Sequence, residues 1–205
     1  MIKMRTKIMK NKFTMTTLMK MATLFCSLGL IVVLFVPLWK IELGAPQYPE
    51  GLVLKIWPNK LGGDVEIING LNHYIGMRHL HTEDFPEFTI LPYIITAFSL
   101  MGFITLFTNK RKIFSIFVFS FLALCLISMI DFYRWEYEYG HELNPDAPII
   151  VPGMAYQPPL IGYKKLLNFG AYSIPDTGGW IFIAVGVILL LTWIMSRRKN
   201  TKLIK

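Results

Sequence analysis

The chain has 205 residues, of which 54% are hydrophobic, and a formal net charge of +8. Soluble domains contain about 45–50% apolar residues, so this chain is too apolar for that class. Its basic residues are not interleaved with aromatic residues in the way that a nucleic-acid-binding surface requires. Composition therefore indicates a membrane protein and argues against a nucleic-acid partner.

Four apolar runs account for the excess of hydrophobic residues. Each has 18 to 20 residues without an acidic or basic side chain, which is enough to cross a hydrocarbon core of about 30 Å. We predict four transmembrane helices, at about residues 21–39, 88–107, 113–130 and 178–195. The expected fold is an all-α membrane protein in which residues 1–205 form a single integrated domain.

Charge is segregated along the chain. Fourteen of the 21 basic residues lie before the first run, between the second and third runs, or after the fourth, where no acidic residue occurs. All 13 acidic residues and all four histidines lie in the two remaining connections, residues 40–87 and 131–177. Basic loops of membrane proteins stay in the cytoplasm. We therefore predict a multi-pass protein of the bacterial inner membrane, with both termini cytoplasmic and these two connections as extracytoplasmic loops.

The two outer loops have different sequence patterns. In the first, Leu52–Trp57 and Asp64–Ile68 alternate between apolar and polar residues around a turn rich in glycine and proline, which predicts a short β-hairpin. The second is rich in proline, and we expect one short helix in it, at residues 162–169. Neither loop is long enough to bury a core alone, but the two together are long enough for one small cap if they pack on each other and on the membrane.

Three of the four histidines lie within nine positions, at His73, His79 and His81, close to Met77. If a helix continues from His73, its rotation of about 100° per residue places His73, Met77 and His81 on one face, and His79 points away. Two imidazoles and a thioether form a soft donor set that suits copper. The alternative is a polar loop in which the same residues only form hydrogen bonds and packing contacts.

The outer end of the third run continues as an aromatic and charged segment, residues 131–142. Its tryptophan and tyrosines are typical of the headgroup region of a membrane. His141, next to Glu142, is a further candidate metal ligand. The chain has no glycine-rich phosphate loop, no paired-cysteine motif and no nucleophile elbow, so we do not expect an enzyme.

Four stretches of the sequence, residues 45–52, 68–77, 131–141 and 175–180, resemble a known family. They are similar to small polytopic membrane proteins of the clade II nitrous-oxide-reductase gene cluster, which are encoded beside copper accessory genes. The resemblance implies a periplasmic role in copper delivery or reductase maturation, with His73 and Met77 as the matching positions.

We therefore expect a membrane accessory protein that presents an extracytoplasmic histidine and methionine site for copper handling or copper-enzyme maturation. Protein partners are expected on the extracytoplasmic side. The candidate copper ligands are His73, Met77, His81, His79 and His141. The alternative is a structural or scaffolding subunit of a larger membrane complex that binds no metal of its own.

Overall fold

The computed structural model of the chain describes residues 14–202, and it describes side chains for residues 14–197. The helices are α1 (Thr17–Val33), α2 (Val65–Ile75), α3 (Pro86–Thr108), α4 (Arg111–His141) and α5 (Thr177–Lys202). The strands are β1 (Trp39–Ala45), β2 (Tyr48–Ile56), β3 (Leu61–Gly63), β4 (Gly162–Leu166) and β5 (Phe169–Pro175). A single 3₁₀ turn, Thr82–Asp84, precedes α3.

The described residues pack as two compact units, which we treat separately. The helical unit contains residues 14–34, 93–126 and 181–202, and the sheet unit contains residues 35–92 and 127–180. The helical unit therefore carries basic residues without acidic ones, whereas all 13 acidic residues of the chain belong to the sheet unit.

Three of the described helices are long and apolar enough to cross a membrane: α3, α4 and α5 as far as Arg197. Within the helical unit α3 and α4 are antiparallel neighbours. The rings of Phe98 and Phe121 lie 5.7 Å apart, and Gly102, one turn further along α3, lies against Phe117, one turn earlier on α4. These helices support the prediction of a membrane protein.

The prediction of an all-α protein with four transmembrane helices is wrong. The apolar run at residues 21–39 is divided between two elements, because α1 ends at Val33 and β1 begins at Trp39. Pro37 lies between them, and it cannot continue a helix because it lacks an N–H and its ring clashes with the preceding turn. α1 has 17 residues and is about 26 Å long, which is shorter than the hydrocarbon core.

α4 is longer than a membrane crossing requires. Its 31 residues extend over about 46 Å, compared with about 30 Å for a hydrocarbon core. Its last part, residues 131–141, contains four charged side chains and a histidine and belongs to the sheet unit. This end of α4 therefore lies outside the membrane-spanning segment.

The sheet unit is built on a five-stranded antiparallel sheet with the strand order β3-β2-β1-β5-β4. Its central pair joins the two long connections of the chain, since Ile41 of β1 is paired with Ser173 of β5. The two long connections therefore meet in one sheet. The all-α prediction missed the sheet because strands from distant segments specify each other through pairing, which no local pattern reports.

β1 and β5 alternate between a buried and a more exposed face. Trp39 and Ile41 are buried, and so are Pro175 and Ser173 opposite them. This period of two is the strand pattern with one face in a core. The core on this face also contains aromatic side chains from the end of α4, including Phe132, whose ring centroid is 5.2 Å from that of Trp39.

A buried polar contact joins β1 to β5 within this core. The indole Nε1 of Trp39 donates to Ser173 Oγ at 2.7 Å, and the Ser173 hydroxyl donates to the Leu160 carbonyl at 3.2 Å. Ser173 is fully buried. Both of its hydrogen-bonding functions are therefore used, and they connect the sheet to the segment before β4.

The predicted hairpin in the first connection has the wrong second strand. β2 forms a hairpin with the short β3, but Asp64–Ile68 begins α2 instead of forming a strand. The Asp64 carboxylate accepts a hydrogen bond from the Val53 N–H at 2.8 Å, which ties the start of α2 to β2. Polar and apolar residues that alternate over only five positions fit the first turns of a helix as well as a strand.

The helix predicted at residues 162–169 is also wrong, because these residues form β4 and the start of β5. The two strands are joined by a two-residue turn after Leu166. Leu167 has φ of +53° in this turn, a conformation that a leucine rarely adopts. The turn therefore lacks the Asn-Gly or Asp-Gly signal by which hairpins are recognised.

We predict that Ser173→Ala lowers the free energy of unfolding by about 1–3 kcal/mol, because the buried indole N–H of Trp39 loses its acceptor. The measurement is denaturant unfolding of the detergent-solubilised protein. Tyr172→Phe, at the adjacent exposed position of β5, is the matched control and should change stability little. Equal stability of the Ser173 variant and the control would contradict the importance of this contact.

Candidate functional site

The histidine stretch lies at an open cleft of the sheet unit with a volume of about 420 Å³. One wall comes from the end of α2 and the residues after it, and the other from the residues after α4. The lining residues are His73, Gly76, Met77, Arg78, His79, Glu142, Leu143 and Asn144. Two distant segments of the chain therefore form a single site.

Gly76 ends α2 and brings the two walls of the cleft together. Its φ of +82° is in the left-handed region that favours glycine. Its carbonyl accepts a hydrogen bond from the Asn144 N–H at 2.7 Å. A Cβ atom here would lie 2.9 Å from the Asn144 carbonyl oxygen and 3.0 Å from Ala147 Cβ. Both the conformation and the lack of space therefore require glycine.

Two buried asparagines of α2 hold the backbone that follows the helix. The Asn69 amide donates to the Leu80 carbonyl at 3.1 Å, and its oxygen accepts from the Leu80 N–H at 2.7 Å. The Asn72 amide donates to the Arg78 carbonyl at 3.3 Å. Asn69 and Asn72 are three positions apart and thus share one side of the helix. Together they fix residues 78–80 against α2.

Tyr139 of α4 supports the same segment. Its hydroxyl donates to the His79 carbonyl at 3.2 Å, and burial raises the pKa of the Tyr139 hydroxyl, although the charge of Arg78 opposes this. The Arg78 guanidinium lies 4.8 Å from the Tyr139 ring centre and 3.5 Å from the Glu142 carboxylate. Both charged side chains are more than half exposed, so their pair contributes at most about 1 kcal/mol.

The cleft contains two imidazoles and one thioether. His73 and His79 are exposed, and their ring centroids are 6.1 Å apart. Met77 lies between them in sequence, lines the cleft, and is half-buried against the core of the sheet unit. The His81 ring is 5.9 Å from that of His79. The three histidines therefore form a row, of which His73 and His79 line the cleft.

The predicted arrangement of His73, Met77 and His81 on one helical face is wrong. α2 ends at Ile75, so His73 is in its last turn and the other two residues follow the helix. The reversal at Gly76 instead turns His79, which was expected to point away, towards His73. Glycine in this position terminates helices, and here it decides which histidines meet.

His141 is placed elsewhere. Its imidazole stacks on the Tyr137 ring with centroids 3.9 Å apart, and its Nδ1 is 2.9 Å from the Tyr137 carbonyl oxygen. It is exposed, and it is not one of the residues that line the cleft. His141 is therefore separate from the candidate set of His73, Met77 and His79.

Among residues 14–202, no group of three or more His, Cys, Asp or Glu side chains has the geometry to hold a metal ion. The set in the cleft has two such ligands and a methionine. When two imidazoles bind one ion, their ring centres are about 5–6.5 Å apart, because each lies about 3 Å from the metal. The 6.1 Å separation of the His73 and His79 ring centres is within this range, and two imidazoles beside a methionine are donor types that suit a soft ion such as Cu(I).

Sequence analysis missed the residues that position these ligands. Asn69, Asn72 and Tyr139 bind backbone groups of residues 78–80, and Glu142 and Asn144 supply the second wall. Two polar residues three positions apart, followed by a glycine after one further turn, were a usable signal for Asn69 and Asn72. The contributions of Tyr139, Glu142 and Asn144 depend on contacts between distant segments.

Comparison of the chain with protein families, with curated proteins and with solved structures gives no match. The resemblance to proteins of the nitrous-oxide-reductase gene cluster therefore stays a prediction, and the function has to be argued from the site.

Proposed function

We propose that the chain is a membrane accessory protein that binds Cu(I) in the cleft of its sheet unit and passes it to a protein partner, as in maturation of a copper enzyme. The observation that carries the proposal is the set of two imidazoles and one thioether in an open cleft. His73 and His79 are close enough to share an ion, and Met77 lines the same cleft. Methionine favours Cu(I) over harder ions.

The exposure of the cleft favours transfer over storage. His73 and His79 are exposed, so an acceptor protein can replace them as ligands one at a time. The backbone beneath them is held by Asn69, Asn72 and Tyr139. A fixed backbone that presents exposed ligands keeps the donor set ready without enclosing the metal.

Charge supports an extracytoplasmic position for the sheet unit. α3 ends and α4 begins at the basic turn around Lys110, and α5 ends in the basic C-terminal segment. The start of α1 lies at the same turn, where the Met15 N–H donates to the Asn109 carbonyl at 3.1 Å. By the positive-inside rule this end faces the cytoplasm of a bacterial inner membrane, and both termini with it.

A second candidate function, a structural subunit of a larger membrane complex without a metal, is favoured by an apolar ridge beside the cleft. Tyr74, Ile149 and Ile150 are 55%, 50% and 63% exposed, and the Ile149 N–H donates to the Tyr74 carbonyl at 2.9 Å. Exposed apolar residues next to one another are typical of a protein interface. Under this function the histidines contribute only to the interface.

We expect the purified, detergent-solubilised protein to bind one Cu(I) per chain, and to bind it more tightly than Zn(II). His73→Ala and His79→Ala should each lower the Cu(I) affinity at least about tenfold, because each removes a ligand. Met77→Leu keeps the volume, removes only the sulfur, and should also weaken binding. Titration against a competing Cu(I) chelator measures these affinities.

His141→Ala is the matched control, because this histidine is also exposed but lies outside the cleft. Its Cu(I) affinity should equal that of the unmodified chain. If the His73 and His79 variants also bind Cu(I) with unchanged affinity, the copper proposal fails. Lost complex assembly in those variants, without any copper binding by the unmodified chain, would favour the structural function.

We also predict the orientation of the chain. Cysteines introduced at the exposed positions Lys60 and Lys165 of the sheet unit should react with a membrane-impermeant thiol reagent in intact cells. A cysteine at the exposed Lys112, in the first turn of α4, should react only after the membrane is opened. The native cysteines, Cys26 and Cys125, are replaced by alanine in all variants.

The three positions serve as controls for one another, since each lies on an exposed polar surface. If only the Lys112 variant is labelled in intact cells, the orientation is opposite to the one predicted. Labelling of all three variants only after the membrane is opened would place the sheet unit in the cytoplasm.

A further inference from the structure

The sheet unit contains a carboxyl group with no hydrogen-bond partner. Glu136 of α4 is fully buried, and neither oxygen of its side chain has a hydrogen-bond partner among the described residues. An ionised carboxylate in such a place is very unfavourable, because it has lost water and gained nothing in exchange. Glu136 plays no part in the cleft, so its burial needs a separate explanation.

The face of α4 that carries Glu136 is covered by the segment after the helix. Gly140, one turn further along the same face, accepts a hydrogen bond from the Tyr156 N–H at 2.9 Å. A Cβ atom on Gly140 would lie 2.4 Å from the Gln157 Cα atom, so the backbone of this segment lies directly on the helix. Tyr156 is also buried, and its hydroxyl has no partner among the described residues.

Lys164 of β4 is the charged group that acts on the Glu136 carboxyl. In the observed arrangement its ammonium donates to the Gln157 carbonyl at 3.0 Å. It therefore holds the covering segment at the point where that segment crosses α4. On α4 itself, Arg134 and Glu138 pair with each other on the exposed side, with a distance of 3.0 Å.

The protonation state of Glu136 follows from this environment. Burial raises the pKa of the Glu136 carboxyl to about 8, although the charge of Lys164 opposes the shift. Burial also raises the pKa values of the Tyr139 and Tyr156 hydroxyls, so both stay neutral while Glu136 titrates. Below about pH 8 the folded protein therefore contains an uncharged carboxylic acid at this position.

We propose that Glu136 is a proton-binding site that controls how the segment at residues 142–161 packs on α4. As a neutral acid, Glu136 allows the segment to cover it. Once ionised, it attracts water and the Lys164 ammonium, and Lys164 leaves the Gln157 carbonyl. Residues 142–161 then lose the contact between Lys164 and the Gln157 carbonyl, next to the buried Glu136 carboxylate. The segment therefore moves away from α4 and lets water reach this charge.

The consequence reaches the cleft whether or not the cleft binds copper. Residues 142–161 begin with Glu142, Leu143 and Asn144, which form one wall of the cleft. Opening the segment at Tyr156 weakens the support of that wall. A change of pH at the outer face of the protein would thereby change the shape of the cleft.

The dependence of stability on pH has a definite sign. The unfolded chain releases the Glu136 proton near the ordinary value of 4.5, whereas the folded chain keeps it until about pH 8. Between these values the folded state binds more protons than the unfolded state, so the free energy of unfolding falls as pH rises. Glu136→Gln, which stays neutral, removes this contribution.

Hydrogen–deuterium exchange of the full-length, detergent-solubilised protein tests the proposal. Exchange in residues 142–161 is compared about two pH units below and above the Glu136 pKa, after correction for the intrinsic pH dependence of exchange. Protection in the unmodified chain should fall at least about tenfold at the higher pH. In Glu136→Gln it should persist, and in Lys164→Met the fall should move to higher pH.

Glu138→Gln is the matched control, because it changes a half-buried carboxyl two positions away that pairs with Arg134 and not with Lys164, and it should behave as the unmodified chain. The proposal is overturned if Glu136→Gln loses as much exchange protection at the higher pH as the unmodified chain does. If Glu136→Gln does not fold, infrared spectra of the unmodified chain decide. They should show a neutral carboxyl that disappears near pH 8, and the absence of such a band also overturns the proposal.

Discussion

The pairing of β1 with β5 is the constraint on which the sheet unit depends. It brings residues 39–45 and 169–175 together. The buried hydrogen bond from the Trp39 indole to the Ser173 hydroxyl stabilises this pair. All other strands are added to this pair by local hairpins, β2 and β3 on one side and β4 on the other. Without the central pair, the first connection would keep three strands and the second only the β4–β5 hairpin, and an isolated two-stranded hairpin is at best marginally stable in water.

The cleft is a secondary product of the same packing. Once the two connections share a sheet, the residues after α2 and the residues after α4 are neighbours, and Gly76 joins them through its carbonyl. The buried side-chain amides of Asn69 and Asn72 donate hydrogen bonds to the carbonyls of Leu80 and Arg78. These backbone groups lie outside any helix or strand and would otherwise lack a partner. The histidines are exposed above a backbone that these hydrogen bonds hold.

Glu136 shows the opposite use of a buried polar group. Asn69 is buried with its amide hydrogen-bonded, which orders the backbone, whereas the Glu136 carboxyl is buried without a hydrogen-bond partner. The local packing therefore depends on the proton of Glu136.

Several features of this structure could be predicted from the sequence. The apolar runs, the segregation of charge and the grouping of three histidines around Met77 follow from composition and spacing.

The sequence by itself determined that this chain has helices suited to a membrane, that its acidic residues and histidines are kept apart from its basic ends, and that three histidines are grouped around Met77. These properties are local, since each depends on residues close together in the chain. Only the tertiary structure decided that Trp39 starts a strand, that His79 rather than His81 lines the cleft with His73, and that Glu136 is buried. The physical reason is that strand pairing, cleft walls and burial arise from contacts between segments far apart in the chain.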